Sequence, residues 1–437
     1  MFFPKNNYKY KKLLIKIIFV IGILLFKIIL DKYYEVYGPL FGYLGLKFLP
    51  QEESIVMGVY FLLIFIAFIL PLNHKKPSNV FLLFLFLMSY VPVAVIYSYD
   101  KSASLFGFLA YTFFMIGLSL LDKIKIKSLK FKNKTLSTKS FNWMLFGLIS
   151  ISIVILVSHY GIKLNVKSYD DIYDVRANFK ELTQKSRLLA FSFGWMSNVF
   201  TIVLLTISVV KKRWILALTA VLLQLYLFNL GGNKSIFMLP IFLVFIIFSI
   251  KVFKEYMPLF VLLSFLILTY GLYFYDFVIN DHFSTVSSIL IRRNFFVPAN
   301  LYYYYLEFFE TQPHDFFAKS FPFSLFMESN YISDVPEIIG AEYIRKGTHA
   351  NGNFLADLFY NYSWIGYFIG FTVISIYFKI VDSIVKNKNH LIIVPIATVP
   401  VISLMNSGLI VNLISFGLVM ITIILILYPT EKHYINT

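Results

Sequence analysis

Along this chain, long apolar stretches alternate with short polar connections, and the length of each stretch suits a membrane crossing rather than a surface helix or strand. A hydrocarbon core about 30 Å thick needs roughly 20 apolar residues per helix. Stretches near that size fall at 13–30, 55–71, 79–98, 103–121, 141–158, 188–210, 214–230, 236–250, 257–275, 353–380, 391–409 and 411–428. The pattern predicts an all-α polytopic membrane protein with about twelve transmembrane helices, because only helices or closed barrels satisfy their backbone in lipid. After the ninth stretch the rhythm opens into a segment of about 77 residues, Asp276 to Gly352, longer than ordinary connections between helices.

Every second connection is basic: Lys5/Lys9/Lys11/Lys12, Lys75/Lys76, the run Lys123 to Lys139, Lys211/Lys212/Arg213, Lys251/Lys254, Lys386/Lys388 and Lys432. The connections between them, such as Tyr99 to Ser102 and Met405 to Asn412, carry one lysine or none. Positive charge marks the cytoplasmic side of short loops, so both termini are expected inside. Long loops are exempt from that rule, and 159–187 and 276–352 are expected outside despite their cations. The chain then divides into 1–275, with nine helices and the outer connection 159–187; the large outer loop 276–352; and 353–437, with the last three helices. The N-terminus has the basic flank of a secretion signal. Its apolar run is long enough to span and lacks a small-residue cleavage site, so it reads as a retained anchor.

Composition narrows the function classes. With 59% hydrophobic and 14% charged residues in 437, the chain lies outside the range of water-soluble domains. Its 39 Lys+Arg against 23 Asp+Glu sit in short segments between apolar runs, where they set orientation, so nucleic acid is not an expected partner. The lysine run at 123–139 suits anionic headgroups. Cysteine is absent, which removes disulfides, thiolate zinc sites and cysteine nucleophiles.

The sharpest chemical pattern runs from Arg345 through His349, Asn351, Asn353 and Asp357 to Asn361. Asn353, Asp357 and Asn361 fall at i, i+4 and i+8 and share one face of a helix entering the membrane. A carboxylate inside a spanning helix is costly and by default faces a cavity or partner, and His349 lies just outside the stripe. The plainer reading is a set of interhelical hydrogen bonds with a loop histidine beside them. A second pattern joins Arg292 and Arg293 to the aromatic run Tyr302 to Tyr305. Paired guanidinium forks suit a phosphate or diphosphate, and flanking aromatics suit sugar rings; the same residues also suit snorkelling arginines and an interfacial aromatic belt. Lys234 in Gly231-Gly232-Asn233-Lys234-Ser235 opens a helix whose free N–H groups favour an anion, or is simply part of a turn. In 160–187, Arg176 and Arg187 add outward cations, and Asp170, Asp171 and Asp174 form a carboxylate cluster. Such a cluster could hold Mg²⁺, but acidic loop residues are as a rule solvated, and no metal or other cofactor is expected. Zincin, hydrolase-elbow and dinucleotide motifs are missing.

Taken together, these residues resemble the Wzy-type polymerases of bacterial O-antigen and capsular polysaccharide. The resemblance covers nearly the whole chain in architecture and rests on three stretches: Arg293 to Pro298, the turn at Lys234-Ser235, and His349 to Gly366. It implies a GT-C-like fold and an inner-membrane enzyme. That enzyme joins oligosaccharide repeat units carried on undecaprenyl diphosphate, with 276–352 as a periplasmic loop and an inner-membrane chain-length regulator as partner. It implies diphosphate binding by Arg292, Arg293, Arg345, Lys234 and, more loosely, Arg176. Glycan contacts fall to Asn351, Asn353, Tyr302 and Tyr303. His349 would be the base for the acceptor hydroxyl near neutral pH, with Asp357 either orienting it or acting as base itself. The rival readings are an O-antigen ligase, which differs in acceptor, and a lipid-linked oligosaccharide flippase. A flippase normally has short loops and an internal repeat, neither of which is visible here.

Overall fold

The computed structural model describes residues 5–124, 135–161, 179, 181–183 and 186–430, the side chains of 5–9 and of Lys234 excepted. Helices dominate, and among the described residues extended backbone pairs only at the isolated bridge between Leu49 and Asp100. Among the described residues, nine helices are long and apolar enough to cross a membrane, from Tyr10–Leu40 to Leu409–Leu427. Two shorter apolar helices, Glu53–Ile69 and His390–Leu404, lie among them. The stretch Ser235–Ile279 is continuous by composition but reverses at Lys254, where φ is 48° and Phe253 stacks on Phe260 with ring centroids 3.8 Å apart. Large apolar side chains such as Phe61, Trp143, Ile215 and Phe368 are exposed on the perimeter, as lipid requires and water would not allow at this density. The chain is an all-helical, multi-pass membrane protein.

Pro77–Tyr99 is the central helix, buried almost all round. It packs against the first helix and against 297–309, 354–385 and 390–398. Pro92 follows directly on a π-turn at Phe86–Tyr90, which takes up the missing proline N–H. The connections gather at the two ends of the bundle in the two sets that the lysine pattern separates. At one end, Leu49 N–H donates to the Tyr99 carbonyl, Asn300 and Tyr304 donate to Gly45, and Arg187 lies over the Phe321 ring. At the other, Lys76 pairs with Asp122, Leu136 N–H donates to Leu427, and Lys388 donates to the Leu425 and Ile426 carbonyls.

The 276–352 segment is not a free-standing loop. Its Ser288–Phe296 π-helix and Val297–Phe309 helix enter the bundle and pack on the central helix and on 354–385. The physical reason lies in its own sequence: Ile291, Phe295, Phe296, Ala299, Leu301 and Tyr302 to Leu306 are apolar enough to be buried. The remainder, with helix Val335–Tyr343, covers that end of the bundle, where Tyr343 stacks on Tyr304 at 4.3 Å.

The helix Phe354–Val385 is two helices. Tyr362 and Ser363 leave helical φ/ψ, Ser363 at φ 52°. The break folds 354–361 back on the turns that follow it. A Cβ on Gly366 would stand 2.2 Å from the Leu358 carbonyl oxygen, and one on Gly370 2.6 Å from the Leu358 side chain; only glycine permits that approach. The second half, 364–385, is still about 33 Å long at 1.5 Å per residue, enough to span.

Candidate functional site

The short helix 354–361 places the polar stripe anticipated from the sequence. Asn353 is its N-cap: Oδ1 accepts from Leu355 N–H at 3.1 Å and Ala356 N–H at 2.9 Å, satisfying two otherwise free donors. One turn later, Asp357 Oδ2 accepts from Leu409 N–H at 3.0 Å, at the first residue of the last apolar helix. Gly408 makes that contact possible, since a Cβ there would lie 2.4 Å from the Asp357 carboxyl carbon. Asp357 Oδ1 has only a 3.5 Å contact with Asn361 Nδ2, so most of its accepting capacity is open. Asp357 is half-buried, and two amide atoms close in sequence to its contacts, Asn353 Nδ2 and Asn412 Oδ1, are buried without a partner. The arrangement is a carboxylate oriented by a backbone N–H, one oxygen held and one free, at the mouth of the bundle.

Asn361 locks the loop that walls this site. Its Oδ1 accepts from Phe317 N–H at 2.5 Å, its carbonyl accepts from Phe316 N–H at 3.3 Å, and its Nδ2 donates back to the Asp357 carbonyl at 2.7 Å. Phe316 and Phe317 both have positive φ, 53° and 64°, so the amide bonds hold a backbone that side chains disfavour. Asp315 anchors the same loop. It is buried and accepts from Tyr360 Oη at 2.7 Å, Ser329 Oγ at 2.7 Å and Asn330 N–H at 2.9 Å. A buried carboxylate with three donors is a structural tie.

The remaining candidates are dispersed. His349 Nε2 lies 2.7 Å from Glu337 Oε1 on the exposed cap, both side chains 41% exposed; the contacts shown for Asp357 lead instead to Leu409 and Asn361. Asn351 and Arg345 are exposed on the same cap. The arginine pair does not present two parallel forks. Arg292 is half-buried, donates to Ser288 Oγ at 2.9 and 3.0 Å and lies 4.8 Å from the Phe41 ring centroid, whereas Arg293 is exposed. Adjacent residues of a helix point to different sides of it, which explains the divergence. Lys234 begins the helix Lys234–Phe253 after Gly232 in the left-handed region, but its side chain lies outside the described residues. So do Arg176 and the cluster Asp170, Asp171 and Asp174.

Two glycan candidates need correction as open surfaces. Tyr302 and Tyr303 are interior side chains. Tyr302 Oη meets the Gly107 carbonyl at 2.7 Å and Tyr367 Oη at 2.5 Å, and Tyr303 Oη donates to the Val93 carbonyl at 3.1 Å. Their ring edges carry a hydroxyl to a partner on another helix, as buried tyrosines do. Asn353 Oδ1 is likewise spent on its cap, which leaves Nδ2 without a partner. The sequence reading passed over Asp315, Gly408 and the buried pair Lys27–Asp31. Lys27 Nζ sits 2.7 Å from both Asp31 carboxylate oxygens, Tyr60 Oη donates to Asp31 at 2.5 Å, and Lys27 lies 4.3 Å from the Tyr60 ring centroid. Their i, i+4 spacing at the end of the first apolar run was the available signal. This pair is fully satisfied and ties the first helix to Glu53–Ile69. No family model, curated protein or solved structure matches the chain.

Proposed function

We propose that this protein is a membrane glycosyltransferase that polymerises oligosaccharide repeat units carried on undecaprenyl diphosphate, in the manner of Wzy-type polymerases. The observation that carries the proposal is the Asp357 carboxylate, aimed by the Leu409 N–H, with one oxygen free at the mouth of the bundle. In this reading the chain has twelve spans, counting 53–69, 390–404 and both arms of 235–279, arranged in a GT-C-like fold. It lies in the bacterial inner membrane with both termini cytoplasmic, and the Asp357 end faces outward. The gathering of lysine-rich connections at the opposite end supports that orientation.

The chemistry is a substitution at an anomeric carbon. The acceptor hydroxyl oxygen attacks, the bond from that carbon to the diphosphate oxygen breaks, and its electron pair leaves with undecaprenyl diphosphate. The hydroxyl proton passes to Asp357 Oδ1 and from there to water. Arg292, Arg293 and Arg345 lie on the covering segment, where their charge would offset that developing on the leaving diphosphate without a metal ion. His349, paired with Glu337 on the cap, is assigned to acceptor positioning, with Asp357 as the base. Glycan profiling of a deletion strain tests the reaction class: surface glycans reduced to single repeat units support a polymerase. Free lipid-linked polymer beside an uncapped core points to a ligase, and loss of both points to export. Orientation is tested by single cysteines in this cysteine-free chain. Glu328→Cys should react with an impermeant maleimide from outside and Lys139→Cys should not; the reverse pattern overturns the orientation.

A further inference from the structure

Away from Asp357, four buried oxygen-bearing side chains lie at the start of the 276–352 segment with most of their hydrogen-bonding capacity unused. Asp276, Tyr33, Tyr37 and Ser287 are each 0% exposed. Both carboxylate oxygens of Asp276 and the Tyr37 hydroxyl are unpaired, and Tyr33 Oη and Ser287 Oγ have only each other within reach. Tyr33 lies beside Ser287 and near Asp276, and Tyr37 near Tyr33 and Asp276. The two tyrosine rings are 5.4 Å apart, and Tyr33 packs edge-on against Tyr273 and Phe277, on either side of Asp276 in sequence. Asp276 sits in the π-turn Tyr275–Ile279, and Ser287 directly precedes the π-helix Ser288–Phe296. Such turns recur where a helix is reshaped around a functional group.

We propose that these side chains bind a monovalent, sodium-like cation that fixes the start of the 276–352 segment to the first helix. An ionised carboxylate with no partner in an apolar interior is too costly to persist, and neighbouring hydroxyls short of partners add to that cost. A shared cation satisfies all of them together. Oxygens around a small hard cation at about 2.4 Å stand roughly 3.4 Å or more apart, close to one another yet largely outside hydrogen-bond geometry. The ligand set is oxygen alone, which suits alkali and alkaline-earth ions rather than transition metals. One carboxylate supplies one negative charge, which a monovalent ion neutralises and a divalent ion exceeds. Among the described residues no group of three or more His, Cys, Asp or Glu gathers to hold a divalent metal. Arg292 is the charged group facing Tyr37; its guanidinium is turned to Ser288 Oγ and the Phe41 ring. This site is independent of the glycosyl-transfer proposal.

The test is thermal unfolding of the detergent-solubilised full chain in sodium chloride against choline chloride at equal ionic strength. Sodium should raise Tm saturably, by on the order of 5 °C, and potassium less. Asp276→Asn should abolish the response, and Ser287→Ala should move its midpoint to higher sodium while leaving the protein folded. If Asp276→Asn does not fold, the Ser287→Ala midpoint decides alone. Equal Tm in sodium and choline would overturn the proposal. That result would mean the carboxyl is neutralised by a proton with ordered water, or by Arg292 swinging inward. A sodium response unchanged in both variants would overturn it as well.

Discussion

Gly408→Ala tests whether the position of one carboxylate governs turnover. Gly408 has φ −66° and ψ 159°, a backbone any residue adopts, so alanine introduces no backbone strain there. Its Cβ, however, would stand 2.4 Å from Asp357 Cγ and 2.5 and 2.6 Å from the two oxygens. Ordinary contact begins near 3.4 Å, so the carboxylate must retreat by about 1 Å (3.4 − 2.4). That retreat lengthens or breaks the 3.0 Å bond from Leu409 N–H. Misplacing a reacting group by about 1 Å typically costs on the order of 10²-fold in rate. Removing the base, as in Asp357→Asn, costs roughly 10²–10⁴-fold. The assay is the initial rate of undecaprenyl diphosphate release in proteoliposomes supplied with lipid-linked repeat units, normalised to inserted protein. Gly58→Ala and Gly147→Ala, where an added Cβ meets nothing within 4 Å, serve as silent controls. Wild-type rates in Gly408→Ala would refute the idea that the 408–409 turn sets the carboxylate. Wild-type rates in Asp357→Asn as well would remove the carboxylate from the chemistry.

Three further outcomes follow from the same structure. Gly366→Ala, with its Cβ 2.2 Å from the Leu358 carbonyl oxygen, should prevent the fold-back of 354–361 and strongly reduce the level of inserted protein; normal levels with normal Tm would show that the break is not required. Tyr302→Phe leaves the Gly107 carbonyl and Tyr367 hydroxyl without their partner and should cost about 1–3 kcal/mol of stability with turnover per inserted molecule unchanged. Lost turnover at unchanged Tm would instead return Tyr302 to the glycan path. Burial, with His390 and Lys75 nearby and Glu255 opposing, holds the His74 imidazole down to about 4 from its usual 6.5. Between those values the unfolded chain takes up a proton that the folded protein refuses, so this contribution to stability is lost as pH falls from 6.5 toward 4. His74→Gln should flatten the fall in Tm over that window, and an unchanged slope would contradict the assignment.

Much of the fold was legible because lipid imposes a length on each apolar run and a sign on alternate connections. Each stretch read from the sequence overlaps a helix, although 391–409 runs across the turn at 405–408 and 411–428 is interrupted at 415–417. The reversal at Lys254 was legible from the basic pair Lys251 and Lys254 between 236–250 and 257–275, whereas the break at Tyr362–Ser363 was not, since hydropathy is continuous across it. The 276–352 segment was read as external because its length exempts it from the charge rule and it falls opposite the lysine-rich connections, yet Ile291, Phe295, Phe296 and Tyr302 to Leu306 within it are buried. The polar stripe at Asn353, Asp357 and Asn361 was legible from i, i+4 spacing. What each residue does with its polar atoms was not: Asn353 caps, Asn361 clamps the 316–317 backbone, and only Asp357 keeps an open oxygen. The Asp357 partner, Leu409, lies 52 residues away, a distance that no local pattern bridges. Arg292 and Arg293 read as a pair because sequence adjacency hides the turn of the helix between neighbours.

The central claim is that this chain alone joins lipid-linked repeat units. Purified protein in liposomes, given undecaprenyl-diphosphate-linked repeat units and a chelator, should yield a ladder of glycans lengthened by whole repeats. Each added repeat should release one undecaprenyl diphosphate. Movement of the lipid-linked units across the bilayer with no lengthening, or transfer only to an added lipid-core acceptor, would contradict the account.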